Sequence, residues 1–261
     1  MHGYIDDLGG RPPLHIDSGL KERIERKRVE LERLWLLRVD AESRWRELSR
    51  LLLTYHSTGL EGNTLTLQDT RRVISSPAVL PGVPAHAQVE ARNHARAYNY
   101  SLTFADDIKG LGPEIVLRIH AILMADLDSS AGSYRNGRAH IVGALVQPPP
   151  AESVEARLFE LMSWLQSAQA FYDPIVYAAL AHYEFEAIHP FTDGNGRTGR
   201  LLLNILLRQA GYPVALILRE WRSRYIHAMH DADTGDLQPL VDLVGEAVEM
   251  GLDTCLAASS V

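Results

Sequence analysis

From position 189 to position 200 the chain reads His189-Pro190-Phe191-Thr192-Asp193-Gly194-Asn195-Gly196-Arg197-Thr198-Gly199-Arg200. An imidazole with an ordinary pKa of about 6.5 can accept a proton from a hydroxyl near neutral pH. The glycines let successive backbone N–H groups face one concavity ahead of a helix, which makes an anion nest at a helix N-terminus. Arg197 and Arg200, neighbours on the opening turn of that helix, add two planar forks suited to a polyphosphate. Asp193 beside phosphates calls for an offsetting cation, and Mg²⁺ bound through a carboxylate plus phosphate oxygens is the usual one. Together these residues describe metal-assisted transfer of part of a nucleotide to a hydroxyl. Taken singly, each has a plainer reading: a cap, a surface turn, a solvated charged face.

Two helices must position the stretch. Pro174 to Ile188 carries Ile175, Ala178, Ala179, Tyr183 and Ala187 at helical spacing, and Leu201 to Gln209 reads as a second apolar helix. Pro190 disfavours α geometry at His189 and ends the first helix there. His182, Glu186 and His189 share one face of that helix, so a zinc cluster is a rival reading. The order is not HExxH, however, no further His or Cys ligand stands nearby, and the nest would have no task. His182 is read as a core histidine, as is His120 in the buried helix opened by Pro113.

Length and composition set wider bounds. A chain of 261 residues that is 46% hydrophobic can bury a sizeable core. Its net charge of −7 argues against a general nucleic-acid or anionic-membrane binder, so the arginines must act locally. No run approaches the roughly 18 apolar residues of a membrane span, and Met1 to Pro13 lacks a signal-peptide pattern. The single cysteine, Cys255, excludes an internal disulfide and reads as a small apolar residue of a C-terminal helix. A cytoplasmic setting is the expectation.

Residues 1–17 read as an arm without regular structure, followed by a helical pattern from about Leu20 to Tyr55 with dense charges of both signs. Its apolar edge leaves a homodimer open. In the following Ser57-Thr58-Gly59-Leu60-Glu61-Gly62, Ser57 and Glu61 share a helical face and Gly62 is a natural stop. Thr66 and Asp69 form a capping box for a helix from Leu67 to Ser75. Further helices are expected over Val89–Tyr100, from Pro113 and over Val154–Ala168. The one β signal is Gly132 to Gly143, where Asn136-Gly137 offers a hairpin turn and Ile141-Val142 strand formers.

The stretch at 189–200 satisfies every fixed position of the pattern HxFx(D/E)GNGRxxR and so resembles the Fic family, most of whose members transfer AMP from ATP to protein hydroxyls. The resemblance covers about residues 50–250. It implies a mostly α fold: a Fic-type helical core with a β-hairpin flap and an N-terminal helical extension, divided as 1–50 (arm and extension) and 51–261 (Fic domain with inhibitory helix). It implies His189 as general base and Asp193 as the Mg²⁺ ligand. Gly194, Asn195 and Gly196 would hold the α-phosphate, Arg197 and Arg200 clamp the outer phosphates, and Tyr225 walls the adenosine pocket. Ser57, Glu61 and Gly62 match the family's inhibitory motif (S/T)xxxE(G/N), whose glutamate pairs with the second arginine, here Arg200, and excludes the γ-phosphate of ATP. In some relatives that glutamate also serves removal of AMP, and the resemblance leaves both directions open. The hairpin resembles the flap GxYRxxxVxIxG, with Ala139 where valine is common, and implies a target protein docked near residues 136–143 as an added strand. Glu90, Asn93 and Ala97 also fit the family's arrangement, whereas Asp233 stands where asparagine is frequent. Transfer of another phosphate-containing group, or a nucleotide-regulated binding module, are the alternatives.

Overall fold

The computed structural model describes residues 13–37, 41–104, 111–139 and 145–259. Within them the helices run α1 (Ser18–Leu37), α2 (Ala41–Leu60), α3 (Leu67–Ser75), α4 (Ala85–Ser101), α5 (Pro113–Leu123), α6 (Val154–Ala168), α7 (Pro174–Ile188), α8 (Asn195–Gln209), α9 (Arg222–Asp233) and α10 (Gln238–Ser259). The mostly α architecture is the expected one.

α7 lies at the centre because its sequence is apolar all round. Every residue from Ile175 to Phe185 is buried, and α6, α8 and α10 pack about it. Its start is fixed locally: the Asp173 carboxylate accepts from Ile175 N at 3.0 Å, and Pro174 fills the first position, where no N–H is needed. Thr66 does the same for α3, its Oγ1 accepting from Asp69 N at 3.1 Å.

The charged N-terminal helix faces inward. Leu20, Ile24 and Leu31 of α1 belong to the same buried cluster as α7 and α10, while Arg23 and Lys27 reach Glu249 of α10 at 2.8 and 2.9 Å. Leu20, Ile24 and Leu31 of α1 are therefore covered by the chain itself. The single helical run expected from Leu20 to Tyr55 is two helices, with residues 38–40 outside the described residues, as are residues 1–12 of the expected arm.

Residues 132–139 of the expected hairpin form turns and bends with no strand, and residues 140–144, with Ile141 and Val142, lie outside the described residues. Here the Arg135 N–H is committed to Pro190 O at 3.0 Å instead of a cross-strand partner. On the return side Leu145 N donates to Asp233 Oδ2 of α9 at 2.8 Å. Cys255 is buried on α10, and no helix among the described residues is long and apolar enough to cross a membrane.

Candidate active site

α7 ends at His189, whose backbone turns left-handed (φ 49°, ψ 62°) while its N–H still bonds Phe185 O at 3.1 Å. That place usually falls to glycine, so the histidine is held there by its neighbours. Arg135 does the holding. Its Nε donates to His189 O at 2.7 Å, and its Nη groups donate to Ile188 O, Gly137 O and Pro149 O at 3.3, 2.9 and 2.6 Å. Sequence reading placed Arg135 only within the flap motif and did not foresee this contact.

The following loop is fixed from both sides. Phe191 is fully buried and stacks on His120, ring centroids 3.6 Å apart. His120 Nδ1 accepts from Gly132 N at 3.0 Å, which leaves its Nε2–H to donate to Asp193 O at 2.9 Å. Asn195 bonds Phe191 twice, Oδ1 accepting from Phe191 N and Nδ2 donating to Phe191 O, both at 2.9 Å. The Asn195 side chain thus buttresses the loop, and its main asset toward an anion is its backbone N–H.

α8 begins at Asn195, earlier than its apolar run, with left-handed Gly194 (φ 80°) before it. The N–H groups of Asn195, Gly196 and Arg197 form its first turn and have no carbonyl within the helix. They make the nest, and the helix dipole adds partial positive charge there. A Cβ at Gly196 would run into Glu61 Oε1 and lie 2.8 Å from Arg200 Nη1, so glycine there lets both groups approach the first turn of α8 without shifting.

Both arginines are buried and both are paired with carboxylates. Arg200 donates from Nη2 to Glu61 Oε1 at 2.6 Å and to Ser57 O at 3.0 Å, and from Nε to Ser57 Oγ at 3.0 Å. The structure therefore brings Ser57 and Glu61, one turn apart near the end of α2, onto the second arginine of the phosphate stretch. Gly62 (φ 99°) follows at the turn. Arg197 donates to Glu90 Oε1 at 2.7 Å and to Asp193 Oδ2 at 3.1 Å. Glu90 also accepts from Asn63 Nδ2 at 2.6 Å, tying the first arginine to the same α2–α3 turn. Glu90 was visible in sequence only as a helix residue fitting a family pattern; its pairing spans α4 and α8 and has no local signal. Tyr225 sits behind Arg200, its ring centroid 5.9 Å from the guanidinium carbon and its hydroxyl 2.7 Å from His182 Nε2.

Burial dominates the electrostatics. It drives His189 down to about 4, against the opposing influence of the Glu186 carbonyl, so the imidazole is neutral at pH 7 and free to accept a proton. His94 and His182, wholly enclosed, fall to about 3. Burial pushes Glu61 upward, but the Arg200 guanidinium outweighs it and the carboxyl stays below its ordinary range. At Glu186 burial wins, raising it to about 8 despite Arg200. A neutral acid carries no full charge to offset, consistent with its buried Oε1 having no hydrogen-bond partner.

The end of one buried helix thus carries an imidazole, and the next opens on a glycine-bounded turn of backbone N–H groups beside two arginines, an arrangement with the groups that could hold a phosphate. Residues 110–207 match the Fic/DOC family. The chain is 35% identical over 257 residues to the protein adenylyltransferase Fic of Aedes aegypti, covering 94% of this chain and 49% of that one. It superposes on a fragment of Fic-1 from C. elegans with a TM-score of 0.83 at 29% identity, covering 92% of this chain and 72% of the fragment. A variant of that fragment gives 30% identity and a TM-score of 0.81 over the same shares. The chain belongs to the Fic/DOC family, and it spans about half the length of the curated relatives it matches.

Proposed function

We propose that this chain is a protein adenylyltransferase that moves AMP from ATP to a Ser, Thr or Tyr hydroxyl of a target protein and is held back by Glu61. What carries the reading is the meeting of neutral His189, the N–H nest of α8 and the two clamp arginines, with the inhibitory glutamate seated on the second of them. The names of the relatives point the same way. His189 takes the hydroxyl proton as the oxygen bonds to the α-phosphorus, and the bond from that phosphorus to the β-phosphate bridging oxygen breaks, releasing pyrophosphate. The backbone N–H groups of Asn195, Gly196 and Arg197 receive the charge gathering on the α-phosphate. Arg200, once free of Glu61, orients the outer phosphates together with Arg197, and the ring of Tyr225 borders the base.

Asp193 fits a Mg²⁺ site: its side chain is 65% exposed beside the nest, and its oxygens keep lone pairs beyond those used by Gly194 N and Arg197. A bound Mg²⁺ would neutralise phosphate charge there. The finer assignments go with this reading: a target docked near residues 136–143 and a cytoplasmic setting. The test is intact-mass analysis of a cell lysate incubated with ATP and the Glu61→Gly protein, which should reveal proteins heavier by one AMP. His189→Ala in the same background should slow the reaction by about 10² to 10⁴. No AMP adduct, or full turnover without the imidazole, would refute the proposal.

A further inference from the structure

We propose that Arg219 and Arg222 are positioning residues that keep Glu61 in the phosphate site, acting on the C-terminal end of α2 and not on substrate; this rests on the reading of Glu61 as an inhibitory group. The last four carbonyls of a helix lack partners within it. At the end of α2 the partners can be traced one by one. Thr58 O accepts from Glu61 N and Asn63 N, and Gly59 O accepts from Gly62 N. Ser57 O accepts from Arg200 at 3.0 Å, and Leu60 O accepts from Arg222 Nε at 2.8 Å. Just beyond the helix, Arg219 donates to Asn63 O and Leu65 O, both at 3.2 Å, and its own N–H donates to His56 Nδ1 at 3.2 Å.

The two guanidinium groups therefore bracket the turn that carries Glu61. Neither forms an ion pair with a carboxylate among the described residues, so their charge is directed to the negative end of the α2 dipole. Arg219 also lies 5.0 Å from the Tyr55 ring centroid. A Cβ at Gly59 would stand 2.9 Å from Arg219 Nε, so the glycine lets the Arg219 side chain lie close against the last turn of α2. Arg200 is the other anchor of this turn, and its bond to Glu61 is the one that must break when phosphates arrive. Arg219 and Arg222 remain, and their grip sets how readily Glu61 returns.

The experiment compares Arg222→Ala and Arg219→Ala with and without Glu61→Gly. Loss of one guanidinium–carbonyl bond to a helix end should release the turn about tenfold more often. Automodification from ATP should then rise by roughly that factor with Glu61 present, not exceed the Glu61→Gly rate, and stay within about twofold when Glu61 is already glycine. A merely structural role would lower both backgrounds alike and would overturn the proposal, as would no change in the native background. Hydrogen exchange needs no turnover: the amides of Glu61, Gly62 and Asn63 should exchange about tenfold faster in Arg222→Ala while those of α7 do not. Equal exchange at the turn would overturn the latch alone. Failure of Glu61→Gly to activate would instead remove the inhibitory reading beneath it.

Discussion

The Glu61–Arg200 contact can be turned into a graded prediction. A hydrogen bond to a charged group contributes about 1.5 to 3 kcal/mol, and one between two ions lies toward the upper end when fully buried. Here Arg200 is buried, but the Glu61 side chain keeps 38% of its surface, so solvent screens the pair and the lower half of that range applies. About 1.5 to 2 kcal/mol corresponds to a ratio of closed to open arginine of roughly 10 to 30. Apparent affinity for ATP scales with the open fraction, so Glu61→Gly should tighten binding about 10- to 30-fold. Glu61→Gln keeps an acceptor of the same shape and removes the charge; losing about half the interaction, it should tighten binding only about fivefold. Titration with an ATP analogue that cannot transfer its α-phosphate reads this without interference from catalysis. Less than a twofold effect for Glu61→Gly, or equal effects of the two variants, would refute the idea that a charged plug governs access.

Two further outcomes follow from buried groups. His94, His182 and His189 have lowered pKa values in the fold, so the unfolded chain takes up their protons first and stability falls as pH drops below about 6.5. Glu186 opposes this, because its raised pKa favours the fold at low pH and that share is lost as pH rises through about 8. Near pH 5 the unfolded chain then binds about two more protons than the native one from these four groups, and unfolding free energy should drop by about 2.7 kcal/mol per pH unit. Urea midpoints that stay flat from pH 6.5 to 4.5 would contradict this. Replacing Arg135 by methionine strips the donor from four backbone carbonyls, at a cost of about 3 kcal/mol and a melting shift of roughly 6–12 °C. Transfer should fall more than ATP binding does, and loss of both in proportion would count against a role in holding His189.

The sequence was most legible where a local rule decided the structure. The span of α7 follows from Asp173-Pro174 at one end and Pro190 after the other, and the start of α3 from Thr66 and Asp69. The phosphate stretch and the Ser57–Glu61 face were readable because their residues are near in sequence and share helix faces. Illegible features depended on distant partners. The Glu90 bond to Arg197 and the Arg135 bonds to His189 join separate elements, and no periodicity announces them. The family resemblance implies that Asn195 helps hold the α-phosphate; its side-chain amide bonds the Phe191 backbone through both polar atoms, a pairing no spacing announces, and its backbone N–H is left for the nest.

The left-handed backbone of His189 has a consequence for how such a chain can change over time. A residue bearing a Cβ sits in that region at a cost of about 1 kcal/mol or more, which glycine would avoid. The imidazole is thus kept against the preference of the backbone that carries it. In a lineage where transfer ceased to matter, mutation to glycine would run downhill in folding free energy, so silent copies of this architecture should arise readily and persist as sturdy scaffolds.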